Sequence, residues 1–304
     1  MKYIVTGGAG FIGAEVVDQL IAAGHEVMVI DTFLSGKREH LNPRAILHEV
    51  DIRDSEKLSP IFKGAHGVFH LAAQPRMQYS IIEPRLTNDI NITGTLNVLL
   101  AARDASVPRV VYSASSSAYG DGQLMPLRET MPAKPIIPYA IQKFVGEMYC
   151  QMVSKFYGLE TVCLRYFNVY GPRQTTDADG PYATVIGIFL GQRQKGQPLT
   201  VVPDGHQRRD FTHVRDVARA NLLAMTAEGV GLGEIINIGT GRNHSVLEVA
   251  ALIGGPTVFA PPRAGEARET LADNSRARSL LNWEPSVAFS DGIAELKKLH
   301  GLEV

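Results

Sequence analysis

The sequence predicts an α/β fold in which a doubly wound parallel sheet is joined to a smaller, interleaved C-terminal lobe. A short apolar run, Lys2–Thr6, leads into a glycine-rich turn and then into a helical pattern. Through the first half of the chain, strand-like runs alternate with amphipathic stretches, which favours parallel strands connected by helices. Beyond Gly171 this alternation gives way to loops rich in glycine, proline and arginine. The combination indicates a Rossmann-type sheet followed by an irregular lobe.

The first strand, turn and helix are followed by elements of the same two kinds. After the first helix the pattern breaks at Gly24, and a second strand over Val27–Ile30 ends at Asp31. We predict further strands at Ala45–Val50, Gly67–Leu71, Arg109–Ser113, Leu159–Tyr166 and Glu234–Ile238. We predict helices near Asp54–Phe62, Pro84–Ala105, Pro138–Tyr157, Tyr182–Lys195, Val214–Ala227, Ser245–Ile253 and Ser275–Leu281.

The glycines lie in the turn between the first strand and the first helix, at Gly7, Gly10 and Gly13. Glycine lets the backbone turn tightly and approach a pyrophosphate, and the N-terminus of the next helix offers N–H groups and a positive dipole to that anion. Asp31 lies where a carboxylate can bind both hydroxyls of an adenosine ribose. A 2′-phosphate would be repelled there, so we predict NAD rather than NADP, although Lys37 and Arg38 could partly offset that repulsion. A purely structural turn is the alternative.

The lobes exchange segments along the chain, because the strand at Glu234–Ile238 returns to the first lobe. We assign residues 1–170, rejoined by 211–240, to an NAD-binding domain, and residues 171–210 and 241–304 to a substrate lobe. Such a lobe would cover the carboxyl ends of the strands, where open α/β sheets bind their ligands.

Composition excludes several classes of protein. The chain of 304 residues has 45% hydrophobic and 20% charged residues, and its formal net charge of −1 gives no reason to expect nucleic acid or an anionic membrane as a partner. The first apolar run is too short for a signal peptide, and no apolar stretch approaches the length that spans a bilayer. We expect Cys150 and Cys163 to be buried free thiols, which fits a reducing cytoplasm. No metal site is predicted.

Tyr139 and Lys143 lie four positions apart at the start of a predicted helix, just after Pro138. Residues at this spacing share one face of a helix, so the ammonium can lie near the phenol and favour its ionised form. Together with a positive nicotinamide ring, it could bring the phenol, whose ordinary pKa is about 10, into the range of a useful base. The spacing alone is a weak signal, and an unconnected surface pair is the alternative.

A serine-rich run, Tyr112–Gly120, follows the strand that begins at Arg109. Hydroxyls at the carboxyl end of a strand can donate to a substrate oxygen or relay a proton, and Ser115 is the first candidate. The alternative is a turn whose serines bond their own backbone, which is an open choice for Ser116 and Ser117.

These motifs together resemble the extended short-chain dehydrogenase/reductases of the NAD-dependent epimerase/dehydratase family. Within that family the chain is similar to UDP-hexose 4-epimerases along nearly its whole length. The resemblance is carried by Thr6–Gly13, Asp31, Asp51-Ile52, His70–Ala73, the serine run, Tyr139 with Lys143, Leu164–Pro172 and Arg209–Val214.

The resemblance implies roles for individual residues. Tyr139 would be the base, Lys143 its cationic neighbour and Ser115 its hydroxyl partner. Cofactor contacts would come from Gly7, Gly10, Phe11, Ile12 and Gly13 at the pyrophosphate, Asp31 at the ribose, Asp51 and Ile52 at the adenine, Ala72, Asn91 and Lys143 at the nicotinamide half, and also from Leu71, Ala73, Ser113, Tyr139 and Tyr166. Substrate contacts would come from Asn168, Arg209 and Arg263 at a UDP diphosphate, and also from Ser115, Ser116, Thr184, Val185, Glu266 and Thr270.

The serines also bear on the choice among the reactions of this family. A 4,6-dehydratase typically carries Asp-Glu directly after its catalytic threonine, and the related decarboxylases keep the glutamate. This chain has Ser116-Ser117 there, and serine cannot replace a carboxylate as acid or base. We therefore expect a 4-epimerase acting on a UDP-hexose through a 4-keto sugar, with NAD tightly bound. An NAD-binding sensor and an ordinary reductase are the alternatives.

Two residues bear on which sugar is bound. Thr270 stands where similar epimerases restricted to the unsubstituted hexose often carry a bulky aromatic, so we expect room for a 2-acetamido group. Its alternative is a plain strand residue. Arg76 could pair with a 6-carboxylate, which leaves UDP-glucuronate open, although a solvent-exposed arginine is the alternative.

The resemblance also implies a homodimer built by the helices near Pro84–Ala105 and Pro138–Tyr157. Leu96, Leu99, Phe144 and Met148 could supply its apolar contacts. Equally, these residues could face the sheet of their own chain.

Overall fold

The computed structural model describes residues 1–176, 183–261 and 268–303. Its strands are β1 (Lys2–Thr6), β2 (Glu26–Ile30), β3 (Ile46–His48), β4 (Gly67–His70), β5 (Arg109–Ser115), β6 (Glu160–Tyr166), β7 (Val169–Tyr170), β8 (Leu199–Val201), β9 (Arg208–Arg209), β10 (Thr212–His213), β11 (Leu232–Ile238), β12 (His244–Ser245) and β13 (Thr257–Phe259). Its α-helices are α1 (Phe11–Ala22), α2 (Ser55–Phe62), α3 (Met77–Ile82), α4 (Pro84–Asn88), α5 (Gly94–Asp104), α6 (Pro138–Tyr157), α7 (Val185–Gln194), α8 (Val214–Thr226), α9 (Val246–Ile253), α10 (Ser275–Leu281) and α11 (Phe289–Leu299).

Seven parallel strands form the central sheet, in the order β11-β6-β5-β4-β1-β2-β3. The chain runs outward from β1 to β3 and then returns to the other side of β1 with β4. At such a reversal a crevice forms beyond the carboxyl ends of the strands, which is where open α/β sheets bind ligands. The predicted doubly wound parallel sheet is confirmed.

Helices cover both faces of this sheet, and each face has its own apolar core. On one face α1 packs against α8, around buried residues that include Leu20 and Phe69. On the other face α2, α5 and α6 cover residues that include Phe62, Leu99 and Val110. Burial on both faces explains why the central strands are nearly continuous apolar runs rather than alternating ones.

The chain from Pro84 to Asp104 is helical throughout but is not one regular α-helix. A π turn over Asp89–Thr93 separates α4 from α5, so the predicted helix near Pro84–Ala105 is confirmed in extent and wrong in regularity. At Gly94, where α5 begins, a Cβ would lie 2.6 Å from the side chain of Ile52, and only glycine permits that approach. Single π turns occur frequently at functional sites.

Other differences from the prediction concern one edge strand and two helices. The strand expected at Ala45–Val50 is reduced to the three residues of β3 at the sheet edge. Two helices, α3 and α11, have no predicted counterpart. α3 has six residues and leaves Met77, Ile81 and Ile82 exposed, so its sequence lacks the apolar stripe that reveals a packed helix.

A third apolar core lies between α7, α9 and α11, with Phe189, Val249 and Leu296 among its buried residues. The chain between α10 and α11 nevertheless returns to the first core, where Trp283 is fully buried and its indole N–H donates to the carbonyl of Asp216 at 2.9 Å. The limits given above for the two lobes therefore stay a prediction.

Cys150 and Cys163 are buried free thiols, as predicted. Within residues 1–176, 183–261 and 268–303, no helix is both long enough and apolar enough to cross a bilayer. In the same ranges no group of three or more histidine, cysteine, aspartate or glutamate side chains is arranged to hold a metal ion.

Asp210, just before β10, holds three loops together. One carboxylate oxygen accepts hydrogen bonds from the N–H and hydroxyl of Thr240 at 2.8 and 2.7 Å. The other accepts from the N–H groups of Gly241 and Ala272, both at 3.0 Å. The side chain is fully buried, and burial raises its pKa while these hydrogen bonds oppose the rise. The segment around Ala272 is thereby fixed beside β10.

We expect Asp210→Ala to lower the free energy of unfolding by about 2–4 kcal/mol, because four donors, one buried and three partly buried, lose their acceptor. Thermal unfolding followed by circular dichroism measures the loss. Asp121→Ala, at an exposed position, serves as the control and should move Tm by no more than about 2 °C. Equal melting of the two variants would contradict the assignment.

Candidate active site

The glycine turn forms one wall of the crevice between β1 and β4. Gly7 has a φ of +73°, and a Cβ there would lie 2.7 Å from the backbone nitrogen of Ala72. A Cβ on Gly13 would lie 2.1 Å from the carbonyl oxygen of Gly7, and one on Gly10 would lie 3.1 Å from it. The turn therefore needs glycine at both ends, and it lies directly against the loop that follows β4. That loop begins with Leu71, Ala72 and Ala73.

The N-terminus of α1 opens into the same crevice. Gly10 is its N-cap, no side chain caps it by a hydrogen bond, and its first turn contains no acidic residue. The N–H groups of Phe11 and Ile12 and the positive end of the helix dipole are therefore suited to an anion. This arrangement fits a pyrophosphate.

Asp31 follows β2 and lies beside the glycine turn. Its two carboxylate oxygens accept hydrogen bonds from the N–H groups of Ala9 and Phe33, at 3.0 and 2.8 Å. Arg38, which could favour a 2′-phosphate, pairs instead with Glu49 and lies 4.1 Å from the centre of the Phe33 ring. The charges near the ribose position thus favour NAD over NADP.

A buried chain of hydrogen bonds runs beneath the crevice. The N–H of Ala72 donates to the hydroxyl of Thr6 at 3.2 Å, and this hydroxyl lies 2.7 Å from Nδ1 of His70. Nε2 of His70 lies 3.0 Å from the hydroxyl of Thr95, which donates to the carbonyl of Asn91 at 2.7 Å. Since the Thr95 proton is used there, Nε2 carries the imidazole proton and Thr6 donates to Nδ1. Burial, with a smaller effect from a nearby ammonium, lowers the pKa of His70 to about 3, so the ring is neutral.

Asn91 lies in the π turn and is almost fully buried. Its amide oxygen accepts from the N–H of Gln74 at 2.8 Å, and its amide nitrogen donates to the carbonyl of Gln74 at 3.1 Å and to Oε1 of Gln142 at 2.7 Å. The side chain thus ties the loop after β4 to α6. A direct contact of Asn91 with the cofactor stays a prediction.

Tyr139 and Lys143 lie one turn apart in the first half of α6. The ammonium of Lys143 is 3% exposed, donates to the carbonyl of Ser113 at 2.7 Å and lies 5.0 Å from the centre of the Tyr112 ring. The helix approaches β5 closely at Gly146, where a Cβ would lie 2.1 Å from the hydroxyl of Tyr112. This close packing places both functional side chains at the carboxyl end of β5.

Burial shifts the pKa values of both Tyr139 and Lys143. Burial raises the pKa of Tyr139 to about 12, and a hydrogen bond with Ser115 only partly opposes the rise. Burial lowers the pKa of Lys143 to about 8. In the protein alone burial therefore dominates the pKa of the phenol, and its lowering by the ammonium together with the nicotinamide ring stays a prediction. A further positive charge, such as the nicotinamide ring, is needed to favour the phenolate.

The serine run turns directly above β5. The hydroxyl oxygen of Ser115 accepts hydrogen bonds from the N–H of Ser117 at 3.2 Å and from its hydroxyl at 2.9 Å. With both lone pairs of the oxygen in use, the proton of Ser115 is left to donate, which suits a partner of Tyr139. Ser115 caps the 3₁₀ turn over Ser116–Tyr119, and Ser116 opens it. The choice between a substrate contact and a turn role for Ser116 and Ser117 stays open.

Three predicted substrate residues come together beyond β6. The Thr270 hydroxyl donates to the side-chain oxygen of Asn168 at 3.2 Å and accepts from the N–H of Asp210 at 3.3 Å. The Thr270 N–H donates to the carbonyl of Arg208 at 3.1 Å, and a guanidinium nitrogen of Arg209 donates to that same carbonyl at 3.0 Å. The cluster lies at the carboxyl edge of the sheet, as a substrate site requires.

The other predicted substrate contacts lie around α7. Thr184 caps this helix by accepting from the N–H of Gly187 at 3.4 Å, and Val185 begins it. A guanidinium nitrogen of Arg76 donates to the hydroxyl of Thr175 at 2.6 Å, so the arginine contacts the chain just before α7 rather than solvent alone. Arg263, Glu266 and the predicted start of this helix at Tyr182 lie outside the described residues.

The adenine and ribose positions are less clearly arranged. Asp51 is paired with Arg53 at 2.6 Å, and this hydrogen bond is the largest cause that lowers the pKa of the carboxyl. Ile52 is 5% exposed and belongs to the core. The hydroxyl of Tyr166 donates to Asn221 at 2.8 Å. The cofactor contacts assigned to these residues stay predictions.

Comparison with known proteins identifies the family. Residues 3–239 match the model of the "NAD dependent epimerase/dehydratase family". The chain belongs to this family. A protein of Methanocaldococcus jannaschii described as a putative UDP-glucose 4-epimerase is 38% identical over 95% of both chains.

Solved structures of similar proteins agree with this assignment. The UDP-glucose 4-epimerase of Thermotoga maritima, solved with UDP-glucose, has a TM-score of 0.93 and 39% identity over 98% of both chains. The UDP-N-acetylglucosamine 4-epimerase of Methanobrevibacter ruminantium, solved with UDP-N-acetylmuramic acid, has a TM-score of 0.92 and 34% identity over 98% of this chain and 97% of that one. The NAD dependence of the epimerase/dehydratase family confirms the predicted cofactor, and the glycine turn and Asp31 fit it.

Sequence reasoning missed several residues that shape the site of this family member. Ser80 in α3 accepts from the N–H of Tyr139 at 3.1 Å and so fixes the start of α6. Gln142 binds Asn91, and the buried pair of Glu147 and Arg165 lies behind Lys143. The four-residue spacing of Lys143 and Glu147 indicates that both lie on one helix face. The partner of Glu147, Arg165, is 18 residues away along the chain and gives no local signal.

We expect Tyr139→Phe to lower kcat about 10²–10⁴-fold with KM nearly unchanged, because it removes only the proton acceptor. Activity of the unaltered enzyme should rise with pH on the acid side, since the base is the phenolate and burial keeps the phenol protonated. Steady-state kinetics as a function of pH measure kcat, KM and the pH dependence. A titration with NAD measures cofactor binding. Tyr157→Phe, at the exposed far end of α6, is the matched control. Unchanged turnover in Tyr139→Phe would refute its role.

Proposed function

We propose that this protein is a nucleotide-sugar 4-epimerase, which inverts carbon 4 of a UDP-hexose through a 4-keto sugar while NAD stays bound. One observation carries the proposal. Tyr139, Lys143 and Ser115 meet at the carboxyl end of β5, and the positions where a dehydratase keeps its acid and base are Ser116 and Ser117. Relatives described as UDP-sugar 4-epimerases support it.

The side chains can move a proton without a carboxylate. In the proposed reaction the oxygen of Tyr139 takes the proton of the sugar 4-hydroxyl, and Ser115 donates a hydrogen bond to the same sugar oxygen. NAD supplies a hydride acceptor that later returns the hydride. Lys143 remains protonated beside the nicotinamide half and stabilises negative charge on the phenol oxygen.

Inversion requires the keto sugar to turn over between the two steps. Asn168, Arg209 and Arg263 would hold the diphosphate while the sugar ring rotates, because guanidinium and amide groups suit phosphate oxygens. The phenol of Tyr139 would then return its proton to the new hydroxyl. The same residues thus serve both the oxidation of the sugar and the reduction of the keto sugar. NAD is regenerated in each cycle, so none is consumed.

The sugar is proposed to be UDP-glucose or UDP-galactose, and also UDP-N-acetylglucosamine. Thr270 is small and contacts Asn168, so a 2-acetamido group would meet a hydroxyl rather than an aromatic ring. The alternative of UDP-glucuronate rests on Arg76, whose guanidinium is bound to Thr175. A 6-carboxylate would have to compete with that contact, so we rank it second.

A homodimer in the cytoplasm completes the proposal. Of the four apolar residues named for the interface, Leu99 is fully buried in its own core, Met148 is 54% exposed, and Leu96 and Phe144 are partly buried. Met148 therefore supports an interface on α6, whereas Leu99 faces its own sheet. The two buried free thiols support a reducing compartment.

Incubation with UDP-glucose and no added cofactor tests the function. We expect UDP-galactose, detected by NMR, in many turnovers per protein molecule. A requirement for stoichiometric NAD would indicate a reductase. Failure to convert UDP-glucose, UDP-galactose, their N-acetylated forms or UDP-glucuronate would leave an NAD-binding sensor. The same panel ranks the sugars.

We expect Thr270→Tyr to abolish activity on UDP-N-acetylglucosamine and to leave activity on UDP-glucose within about threefold, because an aromatic ring would fill the space for the acetamido group. The ratio of kcat/KM for the two sugars is the measurement. Thr270→Ser is the matched control and should keep both activities. An equal loss on both sugars would reject the steric explanation.

A further inference from the structure

A fully buried ion pair lies one helical turn beyond Lys143. Glu147 of α6 and Arg165 of β6 are 1% and 2% exposed, and two hydrogen bonds of 2.8 and 2.7 Å join the carboxylate to the guanidinium. Burial of such a pair is poor evidence for stability, since apolar residues of similar volume often serve as well. The pair therefore calls for another explanation.

The explanation begins with the position of Lys143. Glu147 follows it by one turn on the same helix, a spacing at which opposite charges reach each other. An unengaged carboxylate there would pair with the buried ammonium and draw Nζ away from the carbonyl of Ser113. Arg165 prevents this because it occupies both carboxylate oxygens.

Arg165 is itself held from the opposite side. Its guanidinium carbon lies 4.5 Å from the centre of the Tyr119 ring, at the end of the serine run. The hydroxyl of Tyr119 donates to Asn237 of β11 at 2.7 Å, which fixes the ring. The guanidinium thus has a defined place between α6 and the serine run.

We propose that Arg165 is a positioning residue: by binding Glu147 it keeps that carboxylate from Lys143, whose ammonium stays directed to Ser113 and available to the phenol of Tyr139. This inference rests on the proposed function, in which that phenol is the base. It assigns a role in the reaction to a pair that touches neither substrate nor cofactor.

The charges around Lys143 can be counted. Lys143 and Arg165 are positive and Glu147 is negative, which leaves a net charge of +1. The remaining titratable groups around Lys143 are His70 on β4, Tyr112 on β5, Cys163 and Tyr166 on β6, and Tyr139 and Cys150 on α6. Burial lowers the pKa of His70 to about 3 and raises the pKa of Tyr112 and Tyr166. The hydrogen bond with Cys150, and then burial, raise the pKa of Cys163, so these four groups are neutral at pH 7.

Substitutions that change this net charge test the proposal. Arg165→Met makes it zero, Glu147→Gln makes it +2, and the double variant restores +1. In NAD-saturated protein we expect the pKa of Tyr139 to rise by roughly one unit in Arg165→Met, to fall in Glu147→Gln and to return in the double variant. Near-ultraviolet absorbance of the phenolate, taken as a difference from Tyr139→Phe in each background, reports this pKa. At pH 7, kcat should fall about tenfold in Arg165→Met, with KM unchanged.

Two control variants separate charge from structure. Arg165→Lys keeps a positive charge as the partner of the Glu147 carboxylate, although with one contact instead of two. The phenol pKa should therefore stay closer to that of the unaltered protein than in Arg165→Met, even if Arg165→Met folds poorly. Arg109→Met removes a largely buried arginine that pairs with Glu160 at the other end of β5, and it should lower Tm without moving the phenol pKa.

The outcomes are distinct. Shifts of the phenol pKa in the same direction for Arg165→Met and Glu147→Gln, or no shift although both melt earlier, would overturn the proposal and leave a structural ion pair. If the unaltered protein converts no UDP-sugar, the proposed function fails, whereas the order of the phenol pKa values still decides this inference.

Discussion

Desolvation of a phenol and an ammonium on one face of α6 is the constraint on which the site depends. Close packing of Gly146 on Tyr112 brings the helix onto β5, where Lys143 is buried and Tyr139 is partly buried. Burial raises the pKa of the Tyr139 phenol to about 12, so a positive charge placed beside it would favour its ionised form. A positive cofactor ring is such a charge, so cofactor binding and activation of the base become one event.

The buried polar residues beneath the crevice are held in place by hydrogen bonds. His70 has both ring nitrogens bound by hydroxyls, and Asn91 has its amide bound to the loop after β4 and to α6. Buried polar groups that are fully bonded have little tolerance for displacement. The crevice walls are therefore preorganised, which is the property that electrostatic catalysis requires.

Much of the fold and of the site could be predicted because the signals are local. The glycine turn, Asp31 at a strand end, and the four-residue spacing of Tyr139 and Lys143 each lie within one turn or one helix. Contacts between distant segments could not be predicted in this way. Arg165 contacts Glu147 because α6 packs against the sheet. Thr270 contacts Asn168 because the C-terminal segment returns to the carboxyl edge of the sheet. The direction of the Tyr139 pKa was also beyond reach, since it depends on burial rather than on spacing.

Trp283 adds a consequence for how the chain folds. Its side chain belongs to the core under α1 and α8, although more than a hundred residues and a separate apolar core lie between it and β7. The first core is thus incomplete until residue 283 has been synthesised. The sheet cannot reach its final packing without this late segment, so we expect the two to unfold in a single cooperative transition.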